Sequence, residues 1–140
     1  MGAIQADAPE DAPTRGGRRP VRGAAVQQQD KVVKLIDWFA KAALRHAEAI
    51  EAMQEQAAAV QVECLDRFYA ALKREGALDR FQLLLDHDNH AVAGMAAVYG
   101  MRENPERCTA LLAKLSEMPG LIGFRARYAL ERWESGDWPG

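Results

Sequence analysis

Apolar residues recur at three- and four-residue intervals through most of the chain after residue 27, a pattern that predicts amphipathic helices. The segment 27–75 contains no glycine and no proline, and apolar runs occur near its two ends, around Phe39 and around Leu65. A single helix of this length would extend about 70 Å at about 1.5 Å per residue, more than a small domain spans. We therefore expect a helical hairpin with its break between His46 and Gln56. One continuous helix that dimerises is the alternative.

Start and stop signals predict four shorter helices in the rest of the chain. Gly76 follows Lys73 and Arg74, which is the composition of a helix C-terminus with its cap. Asn104 and Pro105 are typical of a helix start, as the capping residue and the first helical residue. The four predicted helices cover about 77–86, 89–102, 105 to just before 118, and 121–135.

These four helices share an apolar pattern at a spacing of 30 residues. The aligned positions are Leu78 with Cys108, Phe81 with Leu111, Leu85 with Leu115, Val92 with Ile122, and Ala96 with Ala126. Two helix pairs with one shared pattern are typical of a short helical solenoid. The sequence therefore predicts an all-α fold of about six helices, in which a long N-terminal hairpin precedes two similar helix pairs.

Composition separates the N-terminus from the helical body. Residues 1–27 are rich in alanine, glycine, proline and arginine and nearly lack large apolar side chains, so we expect a disordered tail before a single domain over 28–140. Four of the 18 basic and three of the 20 acidic residues lie in this tail, which leaves the body mildly acidic. No apolar run approaches the roughly 20 residues that cross a bilayer, and no signal-peptide pattern is present. We expect a cytoplasmic protein with no membrane association.

The cysteines and tryptophans favour structural roles. Cys64 and Cys108 each lie inside a helical apolar pattern, so we expect free, buried thiols. Trp38, Trp133 and Trp138 are expected to be core or staple residues, with Trp138 either docked on the body or exposed to a partner.

The run "DHDNH" between the third and fourth predicted helices is the main candidate for chemistry. A metal site needs at least three convergent ligands, and His87 and His90 with Asp86 or Asp88 supply them only if the turn folds back on itself. In the alternative, the run is a helix corner. Asp88 and Asn89 then cap the following helix, and His87 meets the carbonyl end of the preceding one. We favour the corner. Since no other pattern indicates catalysis, we expect no enzymatic activity and no cofactor.

Three stretches of the body, "LLDHDNHAVAGMAA", "NPERCTALLAKL" and "GFRARYALERWESGDW", resemble a small bacterial family described as domain of unknown function 2019. The resemblance covers about residues 30–138. Because this family is similar to HEAT-type helical repeats, it implies that the two helix pairs are HEAT-like. In such repeats the second helix usually opens with valine and arginine; here Val92 is followed by Ala93, so no role of that arginine is transferred. Solenoids of this kind commonly bind proteins, and some bacterial ones neutralise toxins.

We therefore expect a non-catalytic protein-binding module, with an immunity or antitoxin-like protein that binds a toxin as the specific hypothesis. Corners of helical repeats lie at the surface, where binding residues concentrate. The candidate partner-binding residues are Asp88, His90, Arg125 and Trp133.

Two other functions stay open as alternatives. A nucleic-acid-associated protein would use the arginines of the tail and the side of the last helix that carries Arg125, Arg127 and Arg132, although nearby glutamates dilute this charge. A metal-dependent enzyme at His87 and His90 is the least favoured. The sequence leaves the oligomeric state open, self-association included.

Overall fold

The computed structural model describes residues 21–139, and these residues form helices joined by short connections. The helices are α1 (Val21–Glu51), α2 (Glu55–Arg74), α3 (Leu78–Phe81, continued by a 3₁₀ turn over Gln82–Asp86), α4 (His90–Gly100), α5 (Pro105–Leu115) and α6 (Gly120–Glu134). The predicted all-α class is confirmed. The chain divides between Lys34 and Leu35 into two units, and the packing described below is that of the second.

The last residues of the predicted tail are helical in the structure. Residues 21–27 belong to α1 and are helical. Residues 1–20, which make up the rest of the predicted tail, lie outside the described residues.

The hairpin breaks inside the predicted interval, between the end of α1 at Glu51 and the start of α2 at Glu55. Met53 adopts a left-handed backbone conformation with φ 59°. This turns the chain so that the N–H of Gln54 donates to the carbonyl of Ala49 at 2.8 Å, closing the end of α1. A left-handed conformation costs a non-glycine residue about 1–2 kcal/mol. The predicted hairpin is confirmed, and the alternative of a single continuous helix is wrong. At the break, a methionine adopts the left-handed conformation that a glycine usually adopts.

Gly76 ends α2 as predicted. Its φ of 68° lies in the left-handed region that glycine adopts without steric cost. The N–H of Gly76 donates to the carbonyl of Lys73, and the N–H of Ala77 donates to that of Leu72 at 3.0 Å. Leu72 and Ala77 are both buried, which completes the hydrophobic contact of this type of cap.

Four aromatic rings join the hairpin to the first helix pair. Phe39 of α1 meets Phe81 of α3 edge to face at 4.8 Å and Tyr99 of α4 at 5.3 Å between ring centres. Tyr69 of α2 lies 5.0 Å from Phe81 and 5.5 Å from Tyr99. Each such pair contributes about 0.5–1.5 kcal/mol beyond the burial of its area. The cluster therefore ties α1 to α4 into one core.

The two predicted helix pairs are α3 with α4 and α5 with α6. α4 packs against the 3₁₀ turn before it, against α5 and against α6. Ala96 and Ala126, which align at the 30-residue spacing, are both buried, as expected of small residues where helices approach closely. The predicted third helix covers the right residues, but its second half is a 3₁₀ turn.

The tryptophans and cysteines depart in part from their expected burial. Trp38 is 47% exposed, so it is not a core residue, and its ring packs 5.8 Å from Phe68 across the hairpin. Both cysteines are free; Cys108 is buried and Cys64 only half-buried. Trp138 docks on the body. Its ring lies 5.6 Å from the ring of Trp133, and its carbonyl accepts a hydrogen bond from Arg102 at 3.1 Å.

Candidate functional site

The polar run before α4 forms a helix corner. Asn89 immediately precedes α4, and its side-chain oxygen accepts hydrogen bonds from the N–H groups of Ala91 at 2.8 Å and Val92 at 3.3 Å. These bonds satisfy two of the N–H groups that a helix start leaves without a partner inside the helix. The predicted cap is confirmed, and Asn89 rather than Asp88 is the capping residue.

The two histidines of the corner do not converge with the acidic residues on one point. The Nδ1 atom of His87 accepts a hydrogen bond from the backbone N–H of Asn89 at 3.0 Å. The backbone N–H of His87 donates to the carbonyl of Leu84 at 3.1 Å, so His87 meets the carbonyl end of the preceding helix as predicted, while its ring closes the turn. Asp86 forms an ion pair with Arg107 of α5 at 2.7 Å, and His90 is exposed. Within residues 21–139, no group of three or more histidine, cysteine, aspartate or glutamate side chains is placed to hold a metal ion.

Three large apolar side chains lie exposed along one side of α6, and we call them the α6 face. They are Leu121, Phe124 and Tyr128, with 38%, 59% and 55% of their surface exposed. Their spacing of three and four residues puts them on one side of the helix, opposite the buried Ala126 and Ala129. Contiguous exposed apolar side chains mark interaction surfaces, whereas scattered ones carry no such meaning.

The three arginines of α6 differ in their contacts. Arg127 donates a hydrogen bond to the carbonyl of Ser116 at 2.6 Å. The Nε atom of Arg132 donates to the backbone carbonyl of Asp137 at 3.2 Å. The guanidinium carbon of Arg132 lies 5.6 Å from the ring centre of Tyr128. Arg125 is half-buried, and it makes no hydrogen bond or ion pair with another described residue. Of the predicted arginine patch, two members are therefore held by contacts within the chain.

A buried histidine lies within electrostatic range of Arg125. His46 of α1 is only 5% exposed, and its Nδ1 atom has no hydrogen-bond partner among the described residues. Burial, with a further contribution from the positive charge of Arg125, lowers the pKa of His46, so the imidazole is neutral at pH 7. Burial also lowers the pKa of Arg125. A buried polar atom without a partner costs about 1–3 kcal/mol, and among the described residues this applies to His46 Nδ1 and to the hydroxyl of Tyr69.

The four residues predicted to contact a partner fall in two places. Asp88 and His90 are exposed at the corner before α4, and Arg125 and Trp133 are half-buried on α6. Arg125 lies beside the α6 face, because it is four residues after Leu121 and three before Tyr128 on the same helix.

Sequence reasoning missed the α6 face and His46, although both left signals. α6 carries more large apolar residues than a single buried stripe can hold, so some of Leu121, Phe124 and Tyr128 had to be exposed. His46 falls seven residues after Phe39, on the side of α1 that faces the core. A polar residue at a core position of a helix is a recognisable signal for a buried polar group.

Comparison of the chain with protein families, with curated proteins and with solved structures found no match. The resemblance to a bacterial domain family and the HEAT-like description of the helix pairs stay predictions. Among the described helices, none combines the length and apolarity that a membrane span requires.

Proposed function

We propose that this protein is a binding module that docks a protein partner on the α6 face. The observation that carries the proposal is the exposure of Leu121, Phe124 and Tyr128 side by side on one helix. A partner that covers them would gain about 25 cal/mol of free energy for each Å² of apolar surface removed from water. Tyrosine is among the residue types that are enriched where protein interfaces concentrate their binding energy.

The polar surroundings of the α6 face also fit a protein interface. Arg132 lies over the ring of Tyr128, and Glu131 is exposed on the same side of the helix. Protein interfaces commonly combine an apolar centre with a charged rim of this type. The specific form of the proposal is a toxin-neutralising protein, and this form rests on the family resemblance alone.

The proposal is tested by affinity capture with the purified full chain as bait. Proteins of the native cell that the chain retains are identified, purified and titrated against the wild type. A double variant, Phe124→Ser with Tyr128→Ser, should weaken binding of the purified partner at least tenfold. Leu83→Ser is the matched control, since Leu83 is equally apolar and exposed but belongs to the 3₁₀ turn.

Two outcomes contradict the proposal. The first is a purified partner that binds the double variant as tightly as it binds the wild type. The second is the absence of any protein that binds the wild type reproducibly in titration. Preserved circular dichroism of the variants establishes that a loss of binding is not a loss of fold.

A further inference from the structure

A groove of about 290 Å³ lies between the two helices of the hairpin, and we call it the hairpin groove. On each helix, the residues that line it are three and four positions apart and therefore lie on one side of that helix. They include Trp38, Lys41 and Arg45 of α1 and Gln61, Cys64 and Phe68 of α2. The groove thus joins an aromatic end, farther from the turn of the hairpin, to a polar end nearer the turn.

The aromatic end presents apolar surface to solvent. Trp38 is 47% exposed, and its ring lies 5.8 Å from that of Phe68 with 40° between the ring planes. The indole is therefore covered on the side of Phe68 and open elsewhere. Covering it with a further ring removes apolar surface from water and adds the preference of aromatic rings for tilted or offset contact. This end of the groove fits an apolar ring.

The other end of the groove is cationic. Lys41 is ion-paired with Asp37 at 3.0 Å. Arg45 is exposed and makes no hydrogen bond or ion pair with another described residue. Both charged side chains that line the groove are basic, and Glu48, one turn beyond Arg45, lines a different hollow. A guanidinium with an unused planar fork of donors matches the two oxygens of a carboxylate.

A small molecule with an apolar ring and one carboxylate satisfies both ends. Trp38 and Arg45 are seven residues apart, about 10 Å along α1 at about 1.5 Å per residue, so a short arm between the ring and the carboxylate spans the groove. Its volume is close to the lower end of the range of about 300–1,000 Å³ that small-molecule sites occupy. A helix of a partner, about 10–12 Å wide with its side chains, is too wide to enter. An inorganic anion would leave the aromatic end uncovered, and the basic side chains repel a cation.

We propose that the hairpin groove binds a small aromatic carboxylate, whose ring covers Trp38 and Phe68 and whose carboxylate pairs with Arg45. Lys41 adds positive charge beside the carboxylate. This site lies on α1 and α2 and uses none of the residues of the α6 face. The inference therefore goes beyond the proposed function and does not depend on it.

The test uses the purified full chain, with the thiol of Cys64 as the reporter, because Cys64 lines the groove and is half-buried. A small uncharged disulfide reagent modifies Cys64, and mass spectrometry measures the rate at increasing concentrations of 4-phenylbutyrate. The matched neutral probe is 4-phenylbutyramide, and hexanoate carries the carboxylate without the ring. We expect saturable protection of Cys64 by 4-phenylbutyrate and at least tenfold weaker protection by each of the other two probes.

Substitutions at the two ends of the groove should act differently on the probes. Arg45→Gln should weaken protection by 4-phenylbutyrate at least tenfold and leave the weaker protection by the amide unchanged. A defect of folding would not produce this split, because both probes use the same aromatic end. Trp38→Leu should weaken protection by both probes to a similar extent. Arg80→Gln, at an exposed arginine of α3, is the matched control and should change neither.

The proposal is overturned by several results. They are the absence of saturable protection by 4-phenylbutyrate, equal protection by the amide, and protection that Arg45→Gln leaves unchanged. Equal protection by hexanoate would show a site for aliphatic carboxylates, and the aromatic class would then be wrong.

A further variant separates this site from the proposed function. Phe124→Ser with Tyr128→Ser should retain full protection of Cys64 by 4-phenylbutyrate, and loss of protection in this folded variant would contradict a site on the hairpin. If a purified protein partner depends on Phe124 and Tyr128 while no probe protects Cys64, the protein-binding function stands and the carboxylate site fails.

Discussion

Gly123 occupies a position in α6 that no other residue can fill without moving the backbone. A Cβ atom added to Gly123 would lie 1.8 Å from the carbonyl oxygen of Met118, in the connection between α5 and α6. It would also lie 3.2 Å from a guanidinium nitrogen of Arg127. That nitrogen donates the 2.6 Å bond to the carbonyl of Ser116, so the substitution disturbs both the connection at Met118 and the donor of this bond.

The cost of Gly123→Ala follows from this geometry. Side-chain Cβ atoms essentially never approach another heavy atom closer than 3.0 Å, so the carbonyl of Met118 has to move by at least 1.2 Å, the difference from 1.8 Å. Overpacking of this kind costs about 1–3 kcal/mol, and loss of the Arg127 bond about 1 kcal/mol more. The better helix propensity of alanine returns up to about 1 kcal/mol. We expect a net loss of about 2 kcal/mol in the free energy of unfolding.

Gly100→Ala is the matched control in another helix of the same domain. A Cβ atom at Gly100 would lie 3.6 Å from Cys108 Sγ and 3.9 Å from Phe81, which are ordinary contacts. This variant should gain about 0.5–1 kcal/mol from helix propensity. Chemical denaturation of both variants, with the slope as a check on two-state behaviour, measures the difference. If Gly123→Ala has the same free energy of unfolding as Gly100→Ala, the steric argument is refuted.

Two further predictions concern titratable groups. Because burial lowers the pKa of His46 below its ordinary 6.5, the imidazole binds a proton at a higher pH in the unfolded chain than in the folded one. The free energy of unfolding should therefore fall as the pH drops below about 6.5. Chemical denaturation at a series of pH values measures this dependence. The variant His46→Gln should flatten it, whereas His90→Gln, at an exposed histidine, should retain it. Burial raises the pKa of the Cys108 thiol to about 11, so a thiol-specific disulfide reagent should modify one cysteine of the native chain. Cys64→Ser should abolish this reaction and Cys108→Ser should retain it, and equal rates at both thiols would contradict the difference in burial.

Helix boundaries could be predicted where the residue at the boundary is of a type that starts or ends helices for a known physical reason. Asn104 before Pro105 can cap a helix and fix its first turn, and the structure places the start of α5 there, with the side chain of Asn104 accepting from the N–H of Arg107. Gly76 marks the end of α2 because its backbone can enter the left-handed region. The hairpin itself followed from length, because a rod of that size would leave its apolar stripe in water.

Other features could not be read from local pattern. Met53 takes a left-handed conformation because it joins the two packed helices of the hairpin, which is a tertiary effect that overrides its propensity, and its side chain stays exposed. The partial 3₁₀ character of the third helix depends on how α4 packs against Gln82–Asp86. For the candidate site, Arg125 was predicted from its position on a helix side, but its half-burial depends on contacts between helices that are distant in sequence.

The 30-residue spacing allows α4 and α6 to be compared position by position. At this spacing Leu121 aligns with Ala91, and Phe124 aligns with Gly94 of α4. A Cβ atom at Gly94 would lie only 3.3 Å from Leu115, so this side of α4 is closely covered by α5, the first helix of the next pair. On the corresponding side of α6 no described helix follows, yet the position carries a large exposed aromatic residue where a solenoid end usually carries polar ones. If a protein partner packed a helix on Phe124, that helix would take the place that α5 takes on α4, and it would need a small side chain there, because Phe124 fills the space that Gly94 leaves to Leu115.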